Sequence, residues 1–278
     1  MDILHTTLLI AGGAALAGVI GALTGLGGGV IIVPLLTLVL GVDIQYAIGS
    51  ALVSVIATSS GAASAYVREG YSNIRVGMFL EVATTLGALG GAWLAGRVST
   101  AAISVIFGVA LLLSAALSLR PHPASATSAA PDRLATWLRM NGSYPVPGGV
   151  ATYCPRRVPV GFGLMAVAGL LSGLLGIGSG ALKVLAMDRV MGLPFKVSTT
   201  TSNFMIGVTA AASAGIYLHR GYIDPGLSMP VVLGVLAGSL VGTRLLVAAQ
   251  VKVLRLLLAV VILALAIQMI VHGLSGAP

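Results

Sequence analysis

Two glycine-rich motifs interrupt apolar runs, and they are the segments best suited to hold a ligand. The first Gly break is Gly25-Leu26-Gly27-Gly28-Gly29, and the second Gly break is Gly176-Ile177-Gly178-Ser179-Gly180. An interrupted helix leaves backbone N–H and C=O groups unpaired, which is costly in apolar surroundings unless a polar group meets them. Where a helix restarts, free N–H groups and the helix dipole favour an anion. The residues predicted to line an anion site are Gly25, Gly27, Gly28, Gly29, Gly176, Gly178, Ser179 and Gly180. The alternative is that these glycines only allow close helix packing.

Hydroxyl and amide side chains follow each Gly break, early in the next long apolar run. They can donate hydrogen bonds to an oxyanion without burial of a full charge. Helix–helix hydrogen bonding and N-capping are the alternatives for any single residue. The predicted substrate ligands of this type are Ser50, Thr200, Thr201 and Asn203.

Two ionisable residues lie within apolar segments, where a charge costs at least about 2.5–3.5 kcal/mol on insertion scales. Lys183 closely follows the second Gly break, and it could neutralise an anion or pair with Asp188. Glu81 lies several residues inside a long apolar run, and it could carry a proton or simply reach the membrane interface. We predict that Lys183 binds the anion and that Glu81 is the proton-coupling residue.

Long apolar helices must position these residues. Hydrophobic residues make up 57% of the 278-residue chain and charged residues only 8%, whereas about a quarter of the residues in a soluble domain are charged. Apolar runs of about 18 residues or more are long enough to span a bilayer. Because their hydrophobicity is continuous rather than alternating, a β-barrel is not expected. The predicted fold class is an all-α polytopic membrane protein, with spans at 7–24, 46–67, 76–95, 100–119, 158–175, 197–218, 227–244 and 254–271.

The chain repeats itself at an offset of 151 residues without a gap. This offset aligns the two Gly breaks, and it also pairs Tyr66 with Tyr217 and Tyr71 with Tyr222. The predicted organisation is a first membrane repeat at 1–119, a polar linker at 120–157 and a second membrane repeat at 158–278. The linker is rich in Pro, Ala and Ser and contains five arginines.

The piece after each Gly break, 30–41 or 181–193, is too short to cross about 30 Å of hydrocarbon upright. It either returns beside the preceding span or stays on the far side. The returning arrangement gathers most basic residues on one side, as the positive-inside rule requires. It predicts broken or re-entrant helices at the Gly breaks, a cytosolic linker, both termini outside, and two inverted structural repeats of the kind found in secondary transporters.

Charge and composition also exclude several functional classes. The formal charge of +8 is explained by basic loops, so no nucleic-acid partner is expected. A single cysteine, Cys154, and four scattered histidines predict no metal and no cofactor. No ATP-binding motif and no catalytic constellation is present, so we predict neither a pump nor an enzyme. The expected partners are a small anionic substrate and the lipid bilayer, with a homo-oligomer left open. The first helix is expected to be retained rather than cleaved as a signal peptide.

The sequence resembles the TauE/SafE family of sulfite and organosulfonate exporters over nearly its whole length. The resemblance lies in the first Gly break with Pro34 downstream, in Ala47-Ile48-Gly49-Ser50, and in the second Gly break. It implies proton-driven export of sulfite, sulfoacetate or a related organosulfonate by a multi-pass protein of a bacterial or archaeal inner membrane. Ser179 stands where the family usually has Gly, and Leu185 stands at the repeat equivalent of Pro34, so the second half-site is expected to differ in shape. The alternatives are a carrier for another oxyanion or a carboxylate, and a passive anion channel.

Overall fold

Long helices dominate the computed structural model, which describes residues 3–24, 28–68, 70–119, 132–146, 149–176, 178–248 and 251–275. The long helices of these segments coincide with the eight predicted apolar runs. They are α1 (Ile3–Thr24), α3 (Ile44–Arg68), α4 (Ile74–Ala95), α5 (Thr100–Leu119), α7 (Val158–Leu175), α9 (Phe195–His219), α10 (Pro225–Ala248) and α11 (Val251–Ser275).

A short helix follows each Gly break. These helices are α2 (Gly29–Pro34) and α8 (Gly180–Leu185), and each continues as a five-residue π-helical turn, Leu35–Val39 or Ala186–Val190. Such a segment rises only about 16 Å, roughly half of the hydrocarbon thickness. π-Helical turns are rare and are often found at functional sites.

The segment after the second Gly break returns alongside α7. Its last residue, Met191, lies against Gly161 near the beginning of α7. The Met191 carbonyl also accepts a hydrogen bond of 2.9 Å from the backbone N–H of Arg156. In the first half, Leu35 lies against Gly13, near the middle of α1. The second half thus turns back along α7 after its Gly break, and the re-entrant course of both short segments in a membrane stays a prediction.

The helix bounds repeat at the offset found in the sequence. Adding 151 to the limits of α2, its π-helical turn and α3 gives the limits of α8, its π-helical turn and α9. The contacts between the two halves are reciprocal as well. Gly18 packs on the Val235 carbonyl, and its repeat equivalent Gly169 packs on the carbonyl of Thr84, which is the repeat equivalent of Val235.

Glycines set the close packing of α4 on α7. A β-carbon at Gly91 would clash with the carbonyl oxygen of Leu170, and one at Gly173 would clash with the carbonyl oxygen of Ala88. Because the hydrophobic effect does not drive helices together within lipid, close packing at small residues is a principal cause of helix association in membranes. Helix packing is thus the role of these glycines outside the Gly breaks.

The linker between the halves is partly folded and adds one small hairpin to the mostly helical, all-α membrane fold. It contains α6 (Arg133–Trp137) and a two-stranded antiparallel hairpin of β1 (Gly142–Val146) and β2 (Gly149–Tyr153). The Asp132 carboxylate caps α6 by accepting a bond of 3.0 Å from the Leu134 N–H. The composition of the linker, rich in Pro, Ala and Ser, gave no sign of these strands. However, β1 and β2 each contain Tyr and Val with alternating burial, as in a half-buried hairpin.

The hairpin region packs on one end of the helical body. Met140 and Ala135 are buried together with Val76 of α4, Val158 of α7 and Met191. The linker therefore rests on the ends of α4, α7 and the returning segment of the second half.

The outward-facing surface of the long helices is apolar. Leu86 is 66% exposed, Leu233 63% and Val167 57%, a pattern that fits lipid rather than water as the surrounding solvent. Among the described residues, three helical stretches combine sufficient length with sufficient hydropathy to cross a membrane: Ile74–Ala95, Val158–Leu175 and Pro225–Gly242.

Candidate functional site

The backbone at both Gly breaks adopts left-handed conformations. Gly28 has φ of 74°, Gly176 of 67° and Gly178 of 69°, all of which glycine adopts without strain. Ser179 has φ of 49° although it carries a β-carbon. A non-glycine residue in this region costs of order 1–3 kcal/mol, and such strain is concentrated at functional sites. Ser179 is therefore the strained residue of the second Gly break.

Ser202 and Asn203 of α9 connect the end of α1 with the second Gly break. The side-chain amide of Asn203 donates a bond of 3.1 Å to the carbonyl of Ala22, which lies just before the first Gly break. The neighbouring Ser202 hydroxyl donates to the carbonyl of Gly180, at the end of the second Gly break, over 3.4 Å. From α3, the hydroxyl of Ser59 donates to the Asn203 carbonyl over 2.6 Å. The end of α1, the end of the second Gly break and both central helices thus meet around Ser202 and Asn203.

Several polar atoms around this junction are buried and have no hydrogen-bond partner within the described segments. They include the Ser179 hydroxyl, the Thr199 hydroxyl and the Asn203 carbonyl oxygen Oδ1. Thr199 and Asn203 are four residues apart, so they share one face of α9. Buried polar groups are rarely left unsatisfied, and a cluster of them indicates a ligand or bound water. We take these atoms as the core of the candidate site, which we call the junction site.

The remaining glycines of the predicted site have different placements. Gly29 and Gly180 begin α2 and α8. Gly178 lies between Val55 of α3 and Ile206 of α9, where a β-carbon would be crowded by both. Gly28 and Gly176 likewise lie against neighbouring helices. The two predicted residues outside the described segments are Gly25 and Gly27.

The two predicted ionisable residues meet in a buried pair beside the junction site. Lys183 lies one turn into α8, and its Nζ is 3.6 Å from Oε2 of Glu81 on α4. Thr209 of α9 bridges the two, since its hydroxyl contacts Lys183 Nζ at 2.5 Å and Glu81 Oε1 at 2.5 Å. A second hydroxyl, that of Thr85, donates to the same Glu81 oxygen over 3.2 Å. Lys183 is fully buried and Glu81 is 8% exposed.

This pairing differs from the alternative considered for Lys183 in the sequence. Asp188, the partner suggested by proximity along the chain, lies 3.7 Å from Arg189 Nε. Thr209 was not predicted as a site residue because a single threonine in an apolar run carries no distinct signal. One signal was available: at the offset of 151, Thr209 is the equivalent of Thr58, one of the hydroxyl residues that follow the first Gly break.

The predicted ligands Ser50, Thr200 and Thr201 contact other parts of the protein. The Ser50 hydroxyl lies 3.0 Å from that of Ser228 on α10. The Thr200 hydroxyl donates to the Tyr71 carbonyl over 3.0 Å, and the Thr201 hydroxyl accepts a bond of 3.0 Å from the Asn73 N–H. These contacts join helices and loops, and the role of the three residues as substrate ligands stays a prediction.

The structure does not bring Ser50 and Thr201 together. The contact of Ser59 with Asn203, and the contacts of Gly178 with Val55 and Ile206, make α3 and α9 antiparallel. Ser50 lies more than two turns along α3 from Ser59, whereas Thr201 is adjacent to the junction. A single small anion cannot contact both hydroxyls in this conformation.

Asn73 joins the candidate site to the linker hairpin. Its backbone N–H binds Thr201, while its side-chain Nδ2 donates to the Met140 carbonyl and to the Tyr153 hydroxyl, each over 2.9 Å. Burial raises the pKa of the Tyr153 hydroxyl above its ordinary value, and the hydrogen bond with Asn73 opposes this in part. The phenol therefore stays neutral at physiological pH.

Comparison with known proteins identifies the family. The family model described as sulfite exporter TauE/SafE matches residues 10–269, which include both Gly breaks, Glu81 and Lys183. The chain belongs to the sulfite exporter TauE/SafE family. It is accordingly a membrane transporter rather than an enzyme, as the sequence predicted.

Related TauE/SafE proteins align over most of their length. The chain is 28% identical over 267 residues to the probable membrane transporter protein YunE of Bacillus subtilis (strain 168), covering 93% of this chain and 95% of that protein. It is 26% identical over 230 residues to the probable membrane transporter protein YdhB of the same organism, covering 82% and 86% of the two chains. No solved structure matches this TauE/SafE chain.

Proposed function

We propose that this TauE/SafE protein is a secondary carrier that exports a small sulfur-containing anion, such as sulfite, sulfoacetate or a related organosulfonate, coupled to protons. The observation that carries the proposal is the junction site beside Lys183. A buried ammonium group lies near the second Gly break, as do the buried hydroxyls of Ser179 and Thr199, which have no partner among the described residues. The ammonium group attracts an oxyanion, and the hydroxyls can donate hydrogen bonds to its oxygen atoms.

The chemistry of the junction site suits a small tetrahedral or sulfonate oxyanion. The Ser179 and Thr199 hydroxyls can each donate one hydrogen bond. Hydrogen bonds to a charged acceptor contribute roughly 1.5–3 kcal/mol each, which helps to offset desolvation of the anion. The family's description as sulfite exporters supports a sulfur oxyanion.

We further propose that the two repeats are inverted about an axis in the membrane plane and work by alternating access. The antiparallel course of α3 and α9, which are repeat equivalents, supports this arrangement, as do the reciprocal contacts of Gly18 and Gly169. A site at the interface of such repeats can be opened to either side by a movement of one half against the other. The proposed setting is a bacterial inner membrane, crossed several times, with the linker in the cytosol.

Transport by purified protein in proteoliposomes tests the proposal. Uptake of sulfite, sulfate, sulfoacetate, taurine and acetate is compared with and without a pH gradient. We expect saturable transport of sulfite or sulfoacetate that depends on the pH gradient, with acetate transported much more slowly. Preference for acetate would indicate a carboxylate carrier, and flux that does not saturate would indicate a channel.

A further inference from the structure

The buried pair of Glu81 and Lys183 joins the two halves of the molecule, and its repeat equivalent is apolar. At the offset of 151, Glu81 corresponds to Val232 and Lys183 corresponds to Ile32, while the bridging Thr209 corresponds to Thr58. The positions on α10 and α2 thus carry two apolar side chains where the equivalent positions on α4 and α8 carry a carboxylate and an ammonium group. Because a buried ion pair adds little stability compared with apolar side chains of similar volume, packing alone does not explain this asymmetry.

The other charged residues of the surrounding elements contact different groups: Arg75 of α4 donates to the Arg139 carbonyl, and Asp188 and Arg189, which follow α8, lie 3.7 Å from each other. The sequence of α7, which packs on α4, contains no ionisable residue, and neither does that of α5. In α9, the ionisable residues are at the two ends: Lys196 lies 5.9 Å from the Tyr71 ring centroid, and His219 is the last residue of the helix. The local net charge is therefore set by Glu81, Lys183 and whatever binds to them.

We propose that Lys183 is released to the anion only when Glu81 takes up a proton, so that one proton and one monovalent anion bind together and are carried together. This inference rests on the proposed function and names its mode of coupling. Charge counting supports it. The empty pair has a net charge of zero, and the pair with both a proton and a monovalent anion is again neutral.

The two half-loaded states each bury an uncompensated charge. An anion beside Lys183 with Glu81 ionised leaves one net negative charge, and a proton on Glu81 without an anion leaves one net positive charge. Both states are disfavoured in a low-dielectric site. The empty and doubly loaded forms are the ones suited to the movement between inward-facing and outward-facing states.

The Thr209 hydroxyl is the positioning group in this exchange. It contacts both Lys183 Nζ and Glu81 Oε1, so it can continue to hydrogen-bond with one of them when the other changes its charge or its partner. Transport of a monovalent anion by this route is symport with a proton and is electroneutral. Export then requires an outward anion gradient larger than the inward proton gradient.

Binding of methanesulfonate to the purified full-length protein tests the inference, because this probe stays a monoanion across the neutral pH range. We expect its affinity to fall by about tenfold per pH unit as pH rises, because one proton is taken up with each anion bound. We also expect uptake of about one proton per anion bound in weakly buffered solution, a measurement on the wild-type protein that needs no variant. In Glu81→Gln the affinity should no longer depend on pH.

Each outcome of this experiment is decisive. If wild-type protein binds methanesulfonate without proton uptake, or if Glu81→Gln keeps the wild-type pH slope, the joint binding of proton and anion is overturned while the proposed function stands. If methanesulfonate does not bind at any pH, the sulfonate specificity of the proposed function fails, and this inference fails with it. The double variant Glu81→Val with Lys183→Ile copies the apolar residues Val232 and Ile32 of the repeat-equivalent positions, and it should fold but lose methanesulfonate binding. Wild-type affinity in this folded double variant would also overturn the inference.

Discussion

At the scale of single residues, Ser179 combines two features that are costly unless they serve a function. Its backbone is left-handed, and its buried hydroxyl has no partner among the described residues. Each feature alone lowers stability, and both are removed by glycine. The junction site therefore predicts a trade-off between stability and binding at this position.

Replacement Ser179→Gly is expected to raise the free energy of unfolding by about 1 kcal/mol, because glycine adopts positive φ without strain. The same change should weaken binding of sulfoacetate, because it removes a donor to the anion. Thermal unfolding in detergent with and without sulfoacetate measures both effects. The control is Ser239→Ala, which removes a buried hydroxyl that donates to Leu236 of its own helix. Unchanged sulfoacetate affinity in Ser179→Gly would remove Ser179 from the site.

Thr209 offers a second residue-scale test. Thr209→Val keeps the shape of the side chain but removes the hydroxyl between Lys183 and Glu81, which leaves charged groups less well hydrogen-bonded. We expect a loss of about 1–3 kcal/mol in the free energy of unfolding and a shift in the pH profile of transport. Thr209→Ser, which restores the hydroxyl, should recover the pH profile. If the serine variant behaves as the valine variant does, the methyl group rather than the hydroxyl is what matters.

At the scale of elements, the loop between α3 and α4 links the linker hairpin to α9. Asn73 carries this link through Thr201 on one side and through Met140 and Tyr153 on the other. It also caps α4, since its side-chain oxygen accepts a bond of 3.1 Å from the Val76 N–H. Separating the two roles requires a substitution that keeps the cap.

Asn73→Asp keeps the acceptor for the N-cap but cannot donate to Met140 or to Tyr153. We expect the hairpin at 142–153 to lose protection from hydrogen exchange, with little change in α4 itself, because a carboxylate caps a helix as well as an amide does. The matched control is Ser99→Ala at the start of α5, whose hydroxyl lies 3.4 Å from the Ala102 N–H. Equal protection of the hairpin in Asn73→Asp and wild type would show that the apolar contacts of Met140 hold the hairpin by themselves.

The sequence predicted the long helices and the short helices after the Gly breaks because these depend on local properties: continuous hydrophobicity, glycine interruptions and length. It did not predict the hairpin, because its short strands lie in a segment whose composition indicated a polar linker. Nor did it pair Glu81 with Lys183, because these residues are distant in the chain and the repeat gave no guide, with Val232 and Ile32 at the equivalent positions. The contacts of Ser202 and Asn203 depend on how α3 and α9 cross, and no local sequence pattern predicts this crossing.

At the scale of the whole molecule, the proposed topology places the linker in the cytosol and both termini outside. Cys154 is the single cysteine of the chain, and it is exposed at the end of the hairpin. A membrane-impermeant maleimide should therefore label it in inside-out vesicles but not in intact cells. The control carries Cys154→Ser and Ser275→Cys and should show the opposite pattern. Labelling of Cys154 from outside intact cells would reverse the topology.

The central claim is that the chain is a carrier with one anion site that is open to one side at a time, and counterflow tests it most directly. Proteoliposomes are loaded with excess unlabelled sulfite or sulfoacetate, and the same radiolabelled anion is added outside without any pH gradient. A carrier exchanges internal for external anion, so the label should rise transiently above its equilibrium level, and Lys183→Ala should abolish this overshoot. Folded, reconstituted wild-type protein that shows no overshoot with either anion would contradict the account.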